Sequence, residues 1–324
     1  MTVPVITCLS RYNAELVRAM AGRDDIEVLQ PDPDAGQAQV AALVADADIV
    51  ISDAARRYVL DATVIAAMRR CRLIEQPSVG YNTVDVDAAS RRGIPVANAP
   101  GYNAEAVADW VLMAVLVLLR DGLTADAVMR RGEWPPWPNG RELGSLTVGV
   151  VGMGNIGSAV ARRVHGFGSP VLYTSRRDHQ GDRAGDPQRV ELPELLRRSD
   201  IVTLHVPQTG ATTGLIGAAE LAAMRERSIL VNASRGSVVD EGALICALRE
   251  GRPAQAALDV FHIEPLAADS ELRSLPNVYL SPHIAANSEQ ARERVHAMVA
   301  TNLQRVLGGG TPEHVVNPEV LAQH

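Results

Sequence analysis

The chain alternates short apolar runs with amphipathic stretches from its first residues onward. Five runs rich in Val and Ile predict strands in its first third: Val3–Cys8, Ile26–Leu29, Ile49–Ser52, Leu73–Gln76 and Ile94–Ala97. Apolar runs that alternate with helical stretches of about ten to fifteen residues are typical of parallel sheets covered by helices. The pattern therefore predicts a parallel α/β domain in the first part of the chain.

A second and more regular set of six strands follows later in the chain. These predicted strands are Thr147–Val151, Val171–Thr174, Ile201–His205, Ile229–Asn232, Ala256–Val260 and Val278–Leu280. Between the two sets, Ala104–Arg120 predicts a helix that is apolar on nearly all sides and therefore buried, and the Pro-rich segment Arg131–Gly144 predicts a loop. A final helix, Glu289–Leu307, is expected to return to the first domain.

Composition narrows the class of protein. A chain of 324 residues exceeds what one core usually serves, so two domains are expected. The net charge of −7 argues against nucleic acid and anionic membranes as partners. The longest apolar stretch, Trp110–Leu119, is shorter than the ~20 residues of a membrane helix. Because the first residues also lack an export signal, a cytoplasmic location is expected.

The types of basic and sulfur-containing residues exclude further chemistries. All 31 basic residues are Arg, which excludes Schiff-base catalysis by lysine and the lysine-containing Walker-A phosphate loop. Cys8, Cys71 and Cys246 are far apart, with no C-x-x-C spacing and no pair of histidines beside them. We therefore expect reduced thiols and no metal site.

A glycine-rich turn stands directly after the first strand of the second set. The sequence VGVVGMGNIG at 148–157 places Gly152, Gly154 and Gly157 in the G-x-G-x-x-G spacing, before a predicted helix at Ser158–Phe167. The first glycine permits a tight turn, the second lets backbone amides approach a pyrophosphate, and the third permits close helix–sheet contact. A strand before this motif and a helix after it predict a Rossmann dinucleotide-binding domain.

The segment after the next strand predicts which dinucleotide is bound. An Asp or Glu near this point usually binds the free ribose 2′-hydroxyl of NAD. This chain instead has Ser175, Arg176 and Arg177, and guanidinium groups can bind a 2′-phosphate with charge-assisted hydrogen bonds. NADP(H) is therefore predicted as the preferred cofactor, with NAD(H) possible.

Three later strands are each followed by residues suited to hydride transfer onto a carbonyl. That chemistry needs a cation for the substrate carboxylate and a proton donor for the developing alkoxide. Arg235 follows one strand, Asp259 and Glu264 follow the next, and His283 follows the last. Open α/β sheets bind ligands at the carboxyl ends of their strands, and a carboxylate beside an imidazole favours its protonated form.

These segments, together with the glycine turn, resemble the D-isomer-specific 2-hydroxyacid dehydrogenase family. The likeness runs from Ser78–Gly80 through Ala104–Trp110 and Leu204–Thr213 to His283, in the family's order. It implies two parallel-sheet α/β domains: a flavodoxin-like substrate domain of residues 1–98 and 288–324, and a Rossmann domain of residues 99–287 inserted in it.

The resemblance also implies roles for individual residues. Arg235 would hold the substrate carboxylate and carbonyl, His283 would act as general acid or base, and Glu264 would pair with His283. Asp259 resembles the residue that fixes the nicotinamide carboxamide, and the amides of Val79 and Gly80 would receive the substrate carboxylate. Arg235 and His283 are also expected to touch the cofactor, as are Asn155, Ile156, His205, Val206, Pro207, Ala233, Ser234 and Ala285.

The implied activity is reduction of a small 2-oxo acid of the glyoxylate or hydroxypyruvate type, in a homodimer formed through helix 104–120. Two alternatives stay open: a dinucleotide-sensing regulator resembling the corepressors built on this fold, and a phosphite-type dehydrogenase. Formate oxidation is disfavoured, because formate dehydrogenases of this family usually carry Gln at the position of Glu264. The chain departs from the family at Asp109 and Trp110, where Glu followed by His is more frequent, and at Gln76 and Pro77, where many members have smaller residues.

Overall fold

The chain folds into two compact α/β units. The computed structural model describes residues 3–55, 57–176 and 186–323. One unit comprises residues 1–102 with 289–324, and the other comprises residues 103–288. The predicted domain limits, 98/99 and 287/288, lie within four residues of these limits. Assignment of substrate binding to the first unit stays a prediction.

The helices and strands alternate throughout. Residues up to 102 form β1 (Val5–Cys8), α1 (Ala14–Ala21), β2 (Glu27–Leu29), α2 (Gln37–Val44), β3 (Ile49–Ile51), α3 (Ala62–Ala67), β4 (Leu73–Glu75), α4 (Val86–Arg91) and β5 (Val96–Ala97). Residues 103–288 form α5 (Ala104–Leu119), α6 (Gly122–Arg130), β6 (Val148–Val151), α7 (Asn155–Gly166), β7 (Val171–Thr174), β8 (Gln188–Arg189), α8 (Leu192–Arg198), β9 (Ile201–Leu204), α9 (Ala218–Ala223), β10 (Ile229–Asn232), α10 (Glu241–Glu250), β11 (Gln255–Leu258) and β12 (Val278–Leu280). The last helix is α11 (Glu289–Leu307), and 3₁₀ turns lie at Leu143–Ser145, Gly236–Val238, Glu271–Ser274 and Pro318–Gln323.

The first unit is a five-stranded parallel sheet in the order β2-β1-β3-β4-β5. This is the flavodoxin-like order that the family resemblance implied. Strands β1, β3 and β4 are buried throughout, as expected for strands with helices on both faces. Helix α11 returns to this unit and packs Val299 and Leu303 into a core with Ile6, Ile49 and Leu73.

The second unit is a seven-stranded parallel sheet in the order β12-β11-β10-β9-β6-β7-β8. This is the Rossmann strand order extended by one strand, so both predicted sheet architectures are confirmed. Six strands had been predicted, and the prediction missed the edge strand β8. That strand consists of Gln188 and Arg189, both exposed, so it carries no apolar signal.

Two helices of the second unit, α5 and α7, differ in their bounds from the helices that the sequence predicts. Helix α5 ends at Leu119, one residue before the predicted end, and packs one face against α7. It is not buried all round, since 42% of Met113 is exposed. Helix α7 begins at Asn155, three residues before the predicted start, because extended backbone at Gly154 forms its N-cap. No helix within the described residues is long and apolar enough to cross a membrane.

Candidate active site

The glycine turn between β6 and α7 has the close backbone contacts that its spacing predicted. Gly152 has φ +96°, and a Cβ there would lie 2.6 Å from the carbonyl oxygen of His205. A Cβ at Gly157 would lie 2.1 Å from the carbonyl oxygen of Gly152. At Gly154 a Cβ would meet open space, directly before the first amides of α7. The turn therefore leaves room at a helix N-terminus, where the dipole and free amides favour a pyrophosphate.

The predicted 2′-phosphate segment follows β7 at the same edge of the sheet. Ser175 is half-buried and Arg176 is exposed, whereas Arg177 lies outside the described residues. The structure adds Arg189 from β8, whose Nη2 donates to the carbonyl oxygen of Ser175 at 2.9 Å. The sequence pattern could not reveal this cation, because Arg189 follows Ser175 by 14 residues and reaches it only through the pairing of β7 with β8.

His205 follows β9 between the glycine turn and the next strand ends. Its amide donates to the carbonyl oxygen of Val151 at 2.7 Å, and its Nε2 lies 2.9 Å from Oγ1 of Thr203. Burial lowers the pKa of His205 to about 3, so the ring is neutral. Its Nδ1 is buried without a hydrogen-bond partner among the described residues. Val206 is half-buried and Pro207 exposed directly after it, at the predicted cofactor edge.

Arg235 follows β10 in a turn that is held by the side chain of Asn232. Oδ1 of Asn232 accepts from the amide and hydroxyl of Ser234, and its Nδ2 donates to the carbonyl oxygen of Arg235. The Arg235 guanidinium in turn donates from Nη1 to the carbonyl oxygen of Ser234 at 2.6 Å. Ala233 is half-buried in the same turn.

This turn packs directly against the segment that leads to Glu264. A Cβ on Gly236 would lie 1.9 Å from the carbonyl carbon of Phe261. Only glycine allows so close an approach, so the backbone after Arg235 and the backbone before Glu264 are neighbours.

Asp259 organises the turn that carries His283. Its buried carboxylate accepts hydrogen bonds from the Ser281 hydroxyl and from the amides of Ile284 and Ala285, the latter two at 2.8 Å. The Asp259 carbonyl oxygen also accepts from the amide of His283 at 2.9 Å. The family resemblance predicts that Asp259 binds the nicotinamide carboxamide. That role stays a prediction, and the structure adds a positioning role beneath the histidine.

His283 and Glu264 lie together at the carboxyl ends of β12 and β11. Nδ1 of His283 is 2.7 Å from Oε2 of Glu264, and Oε1 of Glu264 accepts from the amide of Phe261 at 3.1 Å. His283 has φ +55°, an uncommon conformation for a non-glycine residue, and its turn is held by Asp259. The pair is partly exposed, 35% for the His283 side chain and 25% for Glu264, so a substrate could reach the ring.

The loop after β4 in the first unit has its carbonyl groups hydrogen bonded. Asn98 Nδ2 donates to the carbonyl oxygen of Val79 at 2.8 Å, and the Ser78 hydroxyl donates to that of Gly80 at 2.7 Å. Gln76, noted as a departure from the family, donates from Nε2 to the Ser78 hydroxyl. Neither the Val79 amide nor the Gly80 amide donates to another described residue. Both amides are thus available to a carboxylate.

The departures on α5 have structural partners in the second unit. Asp109 accepts from Nε of Arg163 on α7 at 2.7 Å. The ring of Trp110 lies 6.0 Å from that of Tyr279 on β12. Both residues therefore stabilise the packing of α5 within this unit.

The second unit thus presents a cation, an imidazole and a carboxylate after three neighbouring strands, β10, β12 and β11. The glycine turn, Ser175 and His205 follow β6, β7 and β9 at the same edge of one parallel sheet. Such an edge can hold a dinucleotide beside a proton donor and an anion-binding group.

Comparison with known proteins agrees with this arrangement. The NAD binding domain model of the D-isomer specific 2-hydroxyacid dehydrogenases matches residues 112–285. The chain belongs to this family. It is 42% identical to a glyoxylate reductase of Korarchaeum cryptofilum over 81% of each chain. It is 40% identical to glyoxylate/hydroxypyruvate reductase B of Klebsiella pneumoniae, over 81% of this chain and 83% of that relative.

A solved structure of an acyclic imino acid reductase in complex with NADPH and D-Arg superimposes with a TM-score of 0.85 at 26% identity. The alignment covers 96% of this chain and 99% of that one. The protein is accordingly a pyridine-nucleotide-dependent dehydrogenase that acts on 2-oxo or 2-hydroxy acids.

Proposed function

We propose that this enzyme reduces small 2-oxo acids of the glyoxylate and hydroxypyruvate type to 2-hydroxy acids, of D configuration where the product is chiral, with NADPH as the preferred reductant. The 2.7 Å contact between His283 Nδ1 and Glu264 Oε2 carries the proposal, because it provides a proton donor at the end of β12. The similar glyoxylate and glyoxylate/hydroxypyruvate reductases support this substrate class. We propose a cytoplasmic location as well.

The bound nicotinamide would supply the hydride. Side chains of this protein bind the substrate, polarise its carbonyl group and deliver a proton. Arg235 binds the substrate carboxylate and polarises its carbonyl oxygen, with a planar fork suited to oxygen pairs. Glu264 holds Nδ1 of His283, so Nε2 is the ring nitrogen that delivers a proton to the developing alkoxide. Asp259 fixes the backbone of that histidine through Ile284 and Ala285.

The first unit contributes the loop after β4. The Val79 and Gly80 amides receive the substrate carboxylate, since both carbonyls of this loop are bonded within the unit while the amides are not. Two unbonded backbone amides suit a carboxylate better than a neutral group.

Preference for NADPH rests on the cations after β7. Arg176 is exposed beside Ser175, and Arg189 is anchored to the Ser175 carbonyl oxygen. No acid stands at Thr174, Ser175 or Arg176, where a carboxylate would repel the 2′-phosphate.

We also infer a homodimer formed through the exposed side of α5. Met113 on α5 and Leu123 and Met129 on α6 expose 42%, 55% and 52% of their surface. Apolar surface of this kind is typical of contacts between subunits. A solution mass equal to that of one chain would contradict this assembly.

The activity is tested with a substrate panel and a histidine variant. Glyoxylate, hydroxypyruvate, phenylpyruvate, a branched 2-oxo acid and phosphite are assayed, the acids with NADPH and phosphite with NADP⁺. We expect turnover of glyoxylate or hydroxypyruvate by wild type. The kcat of His283→Ala should be lower by a factor of about 10²–10⁴. The exposed His165→Ala on α7 is the matched control and should keep full activity. Turnover of phosphite alone, or an unimpaired His283→Ala, would refute the proposal.

Cofactor choice is tested separately through the ratio of kcat/KM for NADPH to that for NADH. We expect a ratio above one, and a loss of about tenfold or more in Arg176→Ala and Arg189→Ala, because each removes a cation next to the 2′-phosphate. The matched control is Arg91→Ala on α4, an exposed arginine of the first unit. A wild-type ratio of one or less contradicts the NADPH preference.

A further inference from the structure

A hollow of about 160 Å³ lies in the second unit, at the end of α5. Three arginines from three separate segments line it: Arg120 after α5, Arg141 in the loop before β6, and Arg227 before β10. Trp137, Gln255 and one acid, Asp121, also line it. The cluster is unusual in a chain with a net charge of −7.

Arg120 and Arg141 lie close together where the loop before β6 meets the end of α5. The amide of Arg141 donates to the carbonyl oxygen of Leu119 at 3.1 Å. A Cβ on Gly140 would lie 2.8 Å from Nε of Arg120 and 2.7 Å from the carbonyl oxygen of Leu119. The Arg120 side chain therefore lies against the loop, in a position that only glycine at 140 permits.

Among the residues that the structure describes, no carboxylate forms an ion pair with any of the three guanidinium groups. Within the described residues, the side chains of Arg120, Arg141 and Arg227 make no hydrogen bond or ion pair. Of the nearby acids, Asp200 pairs with Arg225 at 3.1 Å, and Asp121 accepts from the Thr124 hydroxyl.

The electrostatics of Arg141 show that like charges lie close together. Its pKa is lowered first by burial and next by the charge of Arg227, and the Asp200 carboxylate opposes this lowering only in part. A bound anion would relieve this repulsion.

Capping of α5 does not account for the cluster. Cations near a helix C-terminus can stabilise its last carbonyls. Here the Leu118 carbonyl oxygen accepts from the Asp121 amide and from Nε2 of Gln255, and that of Leu119 accepts from the Arg141 amide. These carbonyls are satisfied without a guanidinium group.

The hollow is also separate from the catalytic edge. Arg227 stands before β10 and Gln255 at the start of β11, whereas Arg235 and Asp259 follow the same strands. Four residues of strand span about 13 Å. The hollow therefore lies at the amino edge of the sheet, away from the glycine turn and His283.

We propose that this hollow is a binding site for a small anion that carries a phosphoryl group, distinct from the cofactor and substrate sites. A volume of about 160 Å³ equals that of about five waters, which accommodates a phosphoryl group with a small substituent. Three guanidinium groups suit the oxygens of such a group, each through paired donors.

The test measures anion binding by titration calorimetry on enzyme saturated with cofactor, so that the glycine turn is occupied. Inorganic phosphate, pyrophosphate and ribose 5-phosphate are the probes, and their relative affinities distinguish an inorganic from an organic ligand. We expect one site per chain for at least one probe, with affinity at least tenfold weaker in Arg141→Gln/Arg227→Gln. The matched control is Arg91→Gln/Arg197→Gln, two exposed arginines outside the hollow, which should bind like wild type.

Two further measurements make the result decisive. Turnover of the 2-oxo acid should be unchanged in Arg141→Gln/Arg227→Gln, and the single variant Arg227→Gln replaces it if the double variant fails to fold. No binding by wild type, or equal binding by wild type and variant, overturns the proposal. The proposal is also overturned if Arg141→Gln/Arg227→Gln alters only the solution mass of the protein, because the hollow is then a contact between two copies of this chain.

Discussion

Glu75 is a buried acid whose ionisation should control the stability of the first unit. It is 0% exposed at the end of β4, where Oε2 accepts from Nδ2 of Asn302 at 2.8 Å. Its Oε1 is buried without a partner among the described residues. Burial raises the pKa of Glu75 from 4.5 to about 8, and the Asn302 hydrogen bond opposes that rise only in part.

The sign of the pH dependence follows from this rise. Above its ordinary pKa of 4.5, Glu75 loses its proton in the unfolded chain but keeps it in the fold up to about pH 8. Stability is therefore full below 4.5 and falls as the pH rises toward 8, by about 1.4 kcal/mol per pH unit. The loss at pH 7 is about 3 kcal/mol relative to acid conditions.

Glu75→Gln removes this titration and keeps the shape of the side chain. The free energy of unfolding in urea is measured for both proteins from about pH 5 to about pH 8. Across that range, the free energy of unfolding of the variant should rise by about 4 kcal/mol relative to that of wild type. An unpaired amide costs the variant about 1–3 kcal/mol at every pH, so the change with pH is the measured quantity. Glu27→Gln, an exposed acid on β2, is the control. A wild-type minus variant difference that stays constant with pH refutes the reasoning.

Two further variants probe the catalytic edge. Arg235→Lys should lower kcat/KM for glyoxylate by about tenfold or more, because an ammonium group cannot form the paired hydrogen bonds of a guanidinium group with a carboxylate. Unchanged steady-state kinetics would exclude substrate binding by Arg235. Asp259→Asn should lower kcat at saturating NADPH, because an amide cannot accept all three hydrogen bonds that hold the His283 turn. A kcat equal to that of wild type would contradict this positioning role.

Local spacing in the sequence was enough for several features. The turn at Gly152, Gly154 and Gly157 depends on contacts between residues a few positions apart, so the motif alone indicates it. The placement of Arg235, Glu264 and His283 after successive strands also follows from the sequence, because carboxyl ends of parallel strands share one edge. The pairing of Glu264 with His283 was expected from the family resemblance, and the two side chains do meet.

Other features depend on partners that are distant along the chain. Arg189 reaches Ser175 through an edge strand of two polar residues, which no apolar pattern reveals. Glu75 reads as an ordinary strand residue until α11, 227 positions later, supplies Asn302.

The sequence by itself determined the fold class, the dinucleotide turn and the order of the catalytic residues, because each is encoded in periodicity or short spacing. The tertiary structure alone decided that Asp259 supports the histidine, that Glu75 is buried and that three arginines surround one hollow. Burial and the clustering of like charges are properties of packing, and packing brings together segments whose separation along the chain carries no signal.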